Sequence, residues 1–165
     1  MIFENLITEN KEAFIEKVIS VARYLWVTPE HLMFLMWFET GHTLNHRIQN
    51  STTHATGLIQ FMPSTAISLG TSVDALIVMS NVEQLYYVQK FLGIFRCEYQ
   101  DWLDLYCGIF WPAAVGKYDT FRITSDIVAK QNPLFDINKN GVIEKSEIRA
   151  ALLKQIPIEY KQYFT

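Results

Sequence analysis

One segment, Pro29–Glu39 with the sequence PEHLMFLMWFE, limits the possible folds of this chain more than any other. Thr28 followed by Pro29 is a common combination of helix N-cap and first helical residue, so a helix is predicted to begin here. After its first turn this helix is apolar on nearly all sides. Because such a helix must be covered on every side, we predict that it lies at the centre of a helical domain.

Composition excludes several classes of protein. The chain has 165 residues, of which 50% are hydrophobic and 19% charged, as in an ordered globular protein of one domain with at most a small appendage. The net charge of −3 gives no field that would attract nucleic acid or an anionic membrane surface. No stretch approaches the ~20 apolar residues that span a bilayer. The N-terminal residues lack a secretory signal, so we expect the protein to be made in the cytoplasm. We also expect it to be a monomer.

The remaining pattern predicts an all-α fold. The segment Asn10–Trp26 places its apolar residues at helical spacing. Ser80 and Glu83 form a capping box for a helix that extends to about Arg96. A long polar loop, residues 42–56, follows the central helix, and ordered loops of this length are usually functional. The other predicted elements are short helices at about Gly57–Phe61 and Pro63–Leu69, a helix at about Tyr99–Phe110, and a turn that begins at Pro112.

Glu39 is the last residue of the central apolar helix. Burial and the negative end of the helix dipole both disfavour a charged carboxylate, so the pKa of Glu39 is expected to be raised. A carboxyl group that stays protonated near neutral pH is what a glycosidase uses to protonate its leaving group. Taken alone, the same residue is more readily explained as a glutamate that points into water at a helix end.

The segments around Glu39 carry a family resemblance. Glu39 is followed by Thr40, and after the polar loop comes ATGLIQFMPSTA, Ala55–Ala66. This order and spacing resemble the soluble lytic transglycosylases and goose-type lysozymes, in which a catalytic Glu ends a hydrophobic helix and a Gly-Leu-Met/Ile-Gln segment follows. The segment Leu105–Asp119, LYCGIFWPAAVGKYD, resembles the last active-site segment of phage tail-associated muralytic proteins of that superfamily. The likeness covers about residues 28–150.

The resemblance implies a lysozyme-like catalytic domain over residues 1–120, with Glu39 as the catalytic acid. It implies peptidoglycan glycan strands as the substrate, action at the cell wall, and phage tail proteins as possible partners. The side chains that we expect to contact the substrate are those of Thr40, Asn50, Gln60, Tyr106 and Trp111.

The chain departs from the family pattern at two places. Thr40 replaces the serine that usually follows the catalytic Glu, but a hydroxyl group is retained. The Ala-Tyr-Asn motif of the cellular enzymes is absent, and Ile109 and Phe110 lie near its expected position. A tyrosine that assists the acid must therefore come from elsewhere, with Tyr106 and Tyr118 as the two candidates.

The distribution of acidic residues bears on the reaction. Glycoside hydrolysis commonly uses two carboxylates. No Asp or Glu occurs between Glu39 and Asp74, which favours the one-carboxylate transglycosylase mechanism with a 1,6-anhydro product. A hydrolytic muramidase stays open as an alternative, and so does a non-catalytic glycan-binding domain of a phage tail. The acids that could fold back beside Glu39 are Asp74, Glu98, Asp101 and Asp104.

The segment Asp136–Glu147 matches the twelve-residue EF-hand pattern, with Gly141 at its sharp turn. We predict a calcium ion bound there, with Val142 as a main-chain carbonyl ligand. A single hand lacks the partner of a calcium sensor, so a structural role is expected: it would clip the tail, residues 121–165, to the catalytic domain. Pro133 should shorten the helix that precedes the loop. The predicted ligands are Asp136, Asn138, Asn140, Val142, Glu144 and Glu147.

Cysteine and histidine residues form no metal-binding pattern. Cys97 and Cys107 are predicted to be two buried thiols, with a disulfide between them as the alternative. A zinc site beside Glu39 is the weaker alternative to three solvated loop histidines, because no HExxH or Cys/His set is present. These histidines are His42, His46 and His54.

Overall fold

The helix Pro29–Glu39 forms as predicted and is named α2 here. The computed structural model describes residues 1–164, which are mostly helical. Thr28 caps the helix, with its Oγ1 accepting a 3.3 Å hydrogen bond from the His31 N–H. Every residue from Leu32 to Trp37 is buried, so the prediction of a helix covered on all sides is confirmed.

Besides α2, residues 1–164 contain seven further α-helices and one short antiparallel pair of strands. Single 3₁₀ turns occur at Glu4–Leu6, Gly93–Phe95, Pro112–Ala114 and Ile158–Tyr163. The α-helices are α1 (Lys11–Leu25), α3 (Pro63–Ser68), α4 (Val73–Val78), α5 (Asn81–Leu92), α6 (Trp102–Phe110), α7 (Asp126–Gln131) and α8 (Lys145–Gln155). The strands are β1 (Arg122–Ile123) and β2 (Ile143–Glu144).

Helices α1 and α5 pack against each other, and α1 also packs against α2. The apolar stripe predicted for α1 is buried as expected. The predicted capping box is present at the start of α5, where Ser80 and Glu83 bond each other's main-chain N–H groups. The buried stripe of α1 consists of Phe14, Val18, Val21, Ala22 and Leu25.

Helices α2 and α6 lie side by side and run in the same direction. Near their N-terminal ends, the ring of Phe34 meets the ring of Trp102 edge-on at 6.2 Å between centroids. Nearer their C-terminal ends, Phe38 meets Tyr106 in the same manner at 5.6 Å. The two contacts advance together along both helices, so the C-terminal end of α2, which carries Glu39, faces the Tyr106 turn of α6.

Two predictions of local structure are wrong. Residues 57–61 form a turn instead of a helix, because Thr56 and Phe61 exchange main-chain hydrogen bonds of 3.0 and 2.8 Å across it. Helix α4 was not expected, although Ser72 caps it by accepting from the Ala75 N–H.

Cys97 is exposed while Cys107 is buried, and both are free thiols, so the expectation of two buried thiols fails at Cys97.

The tail begins with β1, which pairs with β2 so that Ile123 lies opposite Ile143. Helix α7 ends at Gln131, shortly before Pro133, as predicted. The division at residue 120 stays a prediction, and the buried side chains of the tail belong to the same apolar core as those of α2. In residues 1–164 no helix is long and apolar enough to cross a membrane.

Candidate active site and calcium-binding loop

Glu39 lies half-buried on the last turn of α2. Burial raises the pKa of its carboxyl group to about 7. Within residues 1–164 this carboxyl group has no hydrogen-bond or ion-pair partner. Its oxygen atoms are not among the unpartnered polar atoms that are closed to solvent, so they retain some exposed surface. The group is therefore held in an apolar setting in which a large share of it stays protonated at neutral pH, and it has no partner that an incoming molecule would displace.

None of the four acids that could have supplied a second carboxylate is seen to contact Glu39 in residues 1–164: two form ion pairs with other residues and two are exposed. Asp101 caps α6 and binds Arg149 at 2.7 Å. Asp104 is fully buried in an ion pair with Lys145. The remaining two candidates, Asp74 and Glu98, are exposed. No charge from another acid contributes to the raised pKa of Glu39, whose cause is burial alone.

Tyr106 is the tyrosine that lies beside Glu39. Burial raises its pKa well above the usual range, and the negative charge of Glu39 adds to that effect. Its ring packs against Phe38 from α2 and against Phe110 and Phe135 on its other sides. Tyr118, the other candidate, is 89% exposed and lines a separate cavity with Lys145.

Thr40 has no exposed surface and takes a structural role in the described residues. Its hydroxyl group donates a 2.7 Å hydrogen bond to the Met36 carbonyl and accepts a 2.9 Å bond from the Leu44 N–H. Both bonds hold the first turn of the loop against the end of α2. The expectation that Thr40 contacts substrate is therefore incompatible with its burial, and its hydroxyl group instead fixes the chain directly after Glu39.

Gln60 lies at the turn between Thr56 and Phe61 with a positive φ of 51°. Its side-chain amide donates to the Gly57 carbonyl at 3.2 Å. The side chain also lines a small cavity of about 50 Å³ together with Ile109 of α6. Ile109 lies three residues after Tyr106, so the two residues occupy the same face of α6.

The remaining two residues expected at the site, Asn50 and Trp111, make contacts that do not involve Glu39. Asn50 is exposed, and its side-chain oxygen accepts 2.9 Å bonds from the Thr52 and Thr53 N–H groups. Trp111 is half-buried at the C-terminal end of α6 and packs on the apolar core. None of these contacts joins Asn50 or Trp111 to the Glu39 carboxyl group, so contact of the two residues with substrate stays a prediction.

Gln84 is a positioning residue that was not foreseen. It lies on the buried face of α5 with 0% of its surface exposed. Its amide nitrogen donates 2.7 Å bonds to the carbonyl groups of His46 and Leu76, and its oxygen accepts from the Leu58 N–H at 3.0 Å. One side chain thus holds the polar loop and the turn that carries Gln60. The available signal was a polar residue at helical spacing among Leu85 and Val88.

The loop Asp136–Glu147 is folded around its own side-chain oxygens. Asp136 accepts hydrogen bonds from the N–H groups of Asn140 and Gly141, at 3.0 and 3.1 Å. Glu147 accepts from the N–H groups of Asn138 and Glu144, at 3.2 and 3.0 Å. The first and last of the predicted ligands are therefore turned inward across the loop. Gly141 has a φ of 78°, a conformation that a side chain would strain.

The donor set of this loop suits a hard cation. Its side chains and one carbonyl group offer only oxygen atoms, which are the ligands that Ca²⁺ takes. No three His, Cys, Asp or Glu side chains in residues 1–164 are already gathered into a metal-binding cluster. Two of the six predicted ligands are asparagines and one is the Val142 carbonyl, so the set depends on more than carboxylates. Calcium binding stays a prediction.

Comparison of the chain with protein-family models, with curated proteins and with solved structures found no match. The function is therefore argued from the site itself and from the resemblance of its segments.

Proposed function

We propose that this protein is a peptidoglycan lytic transglycosylase. It would cleave the β-1,4 bond between N-acetylmuramic acid and N-acetylglucosamine and leave a 1,6-anhydro end. The observation that carries the proposal is Glu39, a carboxyl group with a pKa of about 7 and no partner in residues 1–164, fixed at the end of a buried helix. Tyr106 beside Glu39 also supports the proposal, because the family resemblance expects substrate contacts from Tyr106 and from Gln60.

In this mechanism Glu39 acts twice. Its protonated carboxyl group gives a proton to the glycosidic oxygen as the bond from C1 to that oxygen breaks. The N-acetyl group of the substrate stabilises the positive charge that develops at C1. Glu39, now ionised, removes the proton of the C6 hydroxyl group while the C6 oxygen forms its bond to C1. The ring closes and Glu39 is protonated again, so no proton is gained or lost by the enzyme.

A pKa near neutrality suits both steps. Burial keeps enough Glu39 protonated to act as an acid at pH 7, and the same value lets its anion act as a base in the second step. A group with an ordinary carboxyl pKa would be almost fully ionised at that pH.

The surroundings of Glu39 favour this reaction over hydrolysis. Hydrolysis would call for a second carboxylate, either as a nucleophile or to activate water. Asp101 and Asp104 are committed to Arg149 and Lys145. A muramidase would therefore have to draw its second carboxylate from these engaged acids or from the exposed Asp74 and Glu98.

We also propose that the loop 136–147 binds one calcium ion with a structural role. Action on the cell wall and association with phage tail proteins belong to the same proposal, because both come with the resemblance. The oxygen-only donor set and the inward position of Glu147 support the calcium proposal.

The test is digestion of purified peptidoglycan followed by mass spectrometry of the sugar ends, with and without calcium. We expect 1,6-anhydro ends from the unaltered protein and none from Glu39→Gln. Glu30→Gln is the matched control, since it makes the same change on the first turn of the same helix and should stay active. Reducing ends would identify a hydrolase. Activity retained by Glu39→Gln, or no product from the unaltered protein, would contradict the proposal.

A further inference from the structure

We propose that the Lys145–Asp104 ion pair couples calcium binding at the loop 136–147 to the position of α6, and so to Tyr106 and Glu39. The inference rests on the proposed calcium site and active site. It adds a regulatory role to an ion that was expected only to stabilise the tail.

The pair is buried on both sides. The side chains of Lys145 and Asp104 are 3% and 0% exposed, whereas every other ion pair in residues 1–164 has at least one partner more exposed than that. Lys145 Nζ donates to Asp104 Oδ1 at 2.5 Å and to the Lys117 carbonyl at 2.6 Å. Since either charge alone would be strongly disfavoured in this interior, the two side chains must move together.

Asp104 is also bonded to the chain on both sides of its helix. Its Oδ1 accepts from the Gly116 N–H at 3.0 Å, and its Oδ2 accepts from the Gln100 N–H at 2.8 Å. The carboxylate therefore joins the segment before α6, the segment after it, and the tail. A displacement of Lys145 cannot be absorbed by Asp104 alone.

Lys145 lies inside the calcium-binding segment. It follows Glu144 directly and precedes Glu147 by two residues, and both of those are predicted ligands. Its own N–H donates to the Phe121 carbonyl at 2.9 Å. Binding of both glutamates to one ion would fix the first turn of α8, and Lys145 is part of that turn.

Asp104 lies on α6 two residues before Tyr106. Tyr106 packs against Phe38 and lies close enough to Glu39 to respond to its charge. A second tie runs between the same helices, because Arg149 of α8 bonds Asp101 at the start of α6. The path from the loop to Glu39 therefore runs through the first turn of α8, the Lys145–Asp104 ion pair and the turn of α6 that carries Tyr106.

Asp104 and Lys145 are positioning residues in this scheme, since neither touches the reacting atoms. With calcium bound, α8 holds Asp104 and the Tyr106 turn in place. Without calcium, the first turn of α8 is released and α6 loses its fixed support.

The test is hydrogen–deuterium exchange of the intact protein, read on peptides from α6 and from the loop, with and without calcium. It needs no catalytic activity, so an error in the proposed reaction would not affect it. Calcium binding itself is measured separately by calorimetry. The variant is Asp104→Asn combined with Lys145→Met, because replacing both partners avoids an unpaired buried charge. Lys154→Met makes the same lysine change at an exposed site on α8 and is the control.

We expect calcium to slow exchange in α6 at least about fivefold in the unaltered protein and in Lys154→Met, the lower end of usual coupling between sites. In the double variant calcium should still protect the loop but protect α6 much less, because only the Arg149–Asp101 bond still joins the two helices. Undiminished protection of α6 in the double variant would overturn the proposed path. Calcium binding without any protection of α6 in the unaltered protein would overturn the coupling and leave the calcium site standing. Absence of calcium binding would overturn both.

Discussion

Gln84 donates a 2.7 Å hydrogen bond from its buried side-chain amide to the main-chain carbonyl of His46. The bond ties α5 to the polar loop that follows the candidate acid. The oxygen of the same amide accepts from the Leu58 N–H, beside the turn that carries Gln60. The polar loop and the turn that carries Gln60 are therefore positioned by one side chain.

Replacing Gly57 by alanine tests this arrangement. A Cβ atom at Gly57 would overlap the Gln84 amide oxygen, and the φ of +84° is itself unfavourable for alanine. We expect a loss of about 2–4 kcal/mol in the free energy of unfolding, measured by urea denaturation. Gly41→Ala is the control, because Gly41 has a similar φ of +61° but open space around it, and only about 1–2 kcal/mol should be lost. Equal losses would mean that Gln84 is not held as described.

Thr40→Val should destabilise the protein by about 1–3 kcal/mol, because the buried Leu44 N–H loses its acceptor. Thr40→Ser retains the hydroxyl group and removes one methyl group, at a loss of about 1 kcal/mol. Urea midpoints of the two variants give the comparison. If serine proved the more harmful change, the methyl group would matter more than the hydrogen bonds.

The raised pKa of Glu39 predicts a dependence of stability on pH. The folded state holds this proton up to about pH 7, whereas an unfolded glutamate releases it near its usual pKa of 4.5. The folded state thus binds more protons in that window, and stability falls as pH rises through it. Glu39→Gln removes the effect, so it should gain up to about 3 kcal/mol at pH 8 and almost nothing at pH 4. Urea denaturation at both values checks this, and an equal change at both would refute the shift.

The same pKa predicts the alkaline side of the activity profile. Cleavage begins with proton donation from Glu39, so kcat/KM, which reports the pKa of the free enzyme's acid, should fall about tenfold for each pH unit above about 7. Initial rates on peptidoglycan between pH 5 and 9 measure it. A rate that keeps rising to pH 9 would show that the protonated form is not required.

Glu147→Gln should remove the increase in melting temperature that calcium produces, because the last loop position supplies the bidentate carboxylate of an EF-hand. Glutamine keeps only one acceptor oxygen, so one of the bonds from the Glu144 and Asn138 N–H groups is lost, and stability without calcium should fall by about 1 kcal/mol. Glu159→Gln, at an exposed position of the tail, should leave the calcium effect intact. Thermal scans with calcium or with chelator decide between the two results, and a full calcium shift in Glu147→Gln would contradict the assigned ligand.

Features governed by neighbouring residues were predictable from sequence. Thr28 with Pro29, and Ser80 with Glu83, specify helix starts through bonds that span three residues, and both are present. The raised pKa of Glu39 followed from the apolar helix before it, since burial is its only cause. Local chemistry was sufficient in each of these cases.

Features that depend on distant parts of the chain were not predictable. The bond between Lys145 and Asp104 spans 41 residues, and that between Gln84 and His46 spans 38. The turn at residues 57–61 depends on the pairing of Thr56 with Phe61, which overrides a pattern that suits a helix. The burial of Thr40 follows from the return of the chain at Leu44, and no spacing rule indicates that return.

The burial of α2 from Leu32 to Trp37 has a consequence for how the protein unfolds. Amide groups of a helix enclosed on every side can exchange with solvent only when the whole molecule opens, whereas short exposed elements such as α7 can open alone. The candidate acid is thus attached to the last part of the structure to come apart. Fraying at the surface would leave Glu39 in place, and heating would abolish its setting in the same cooperative transition that melts the core.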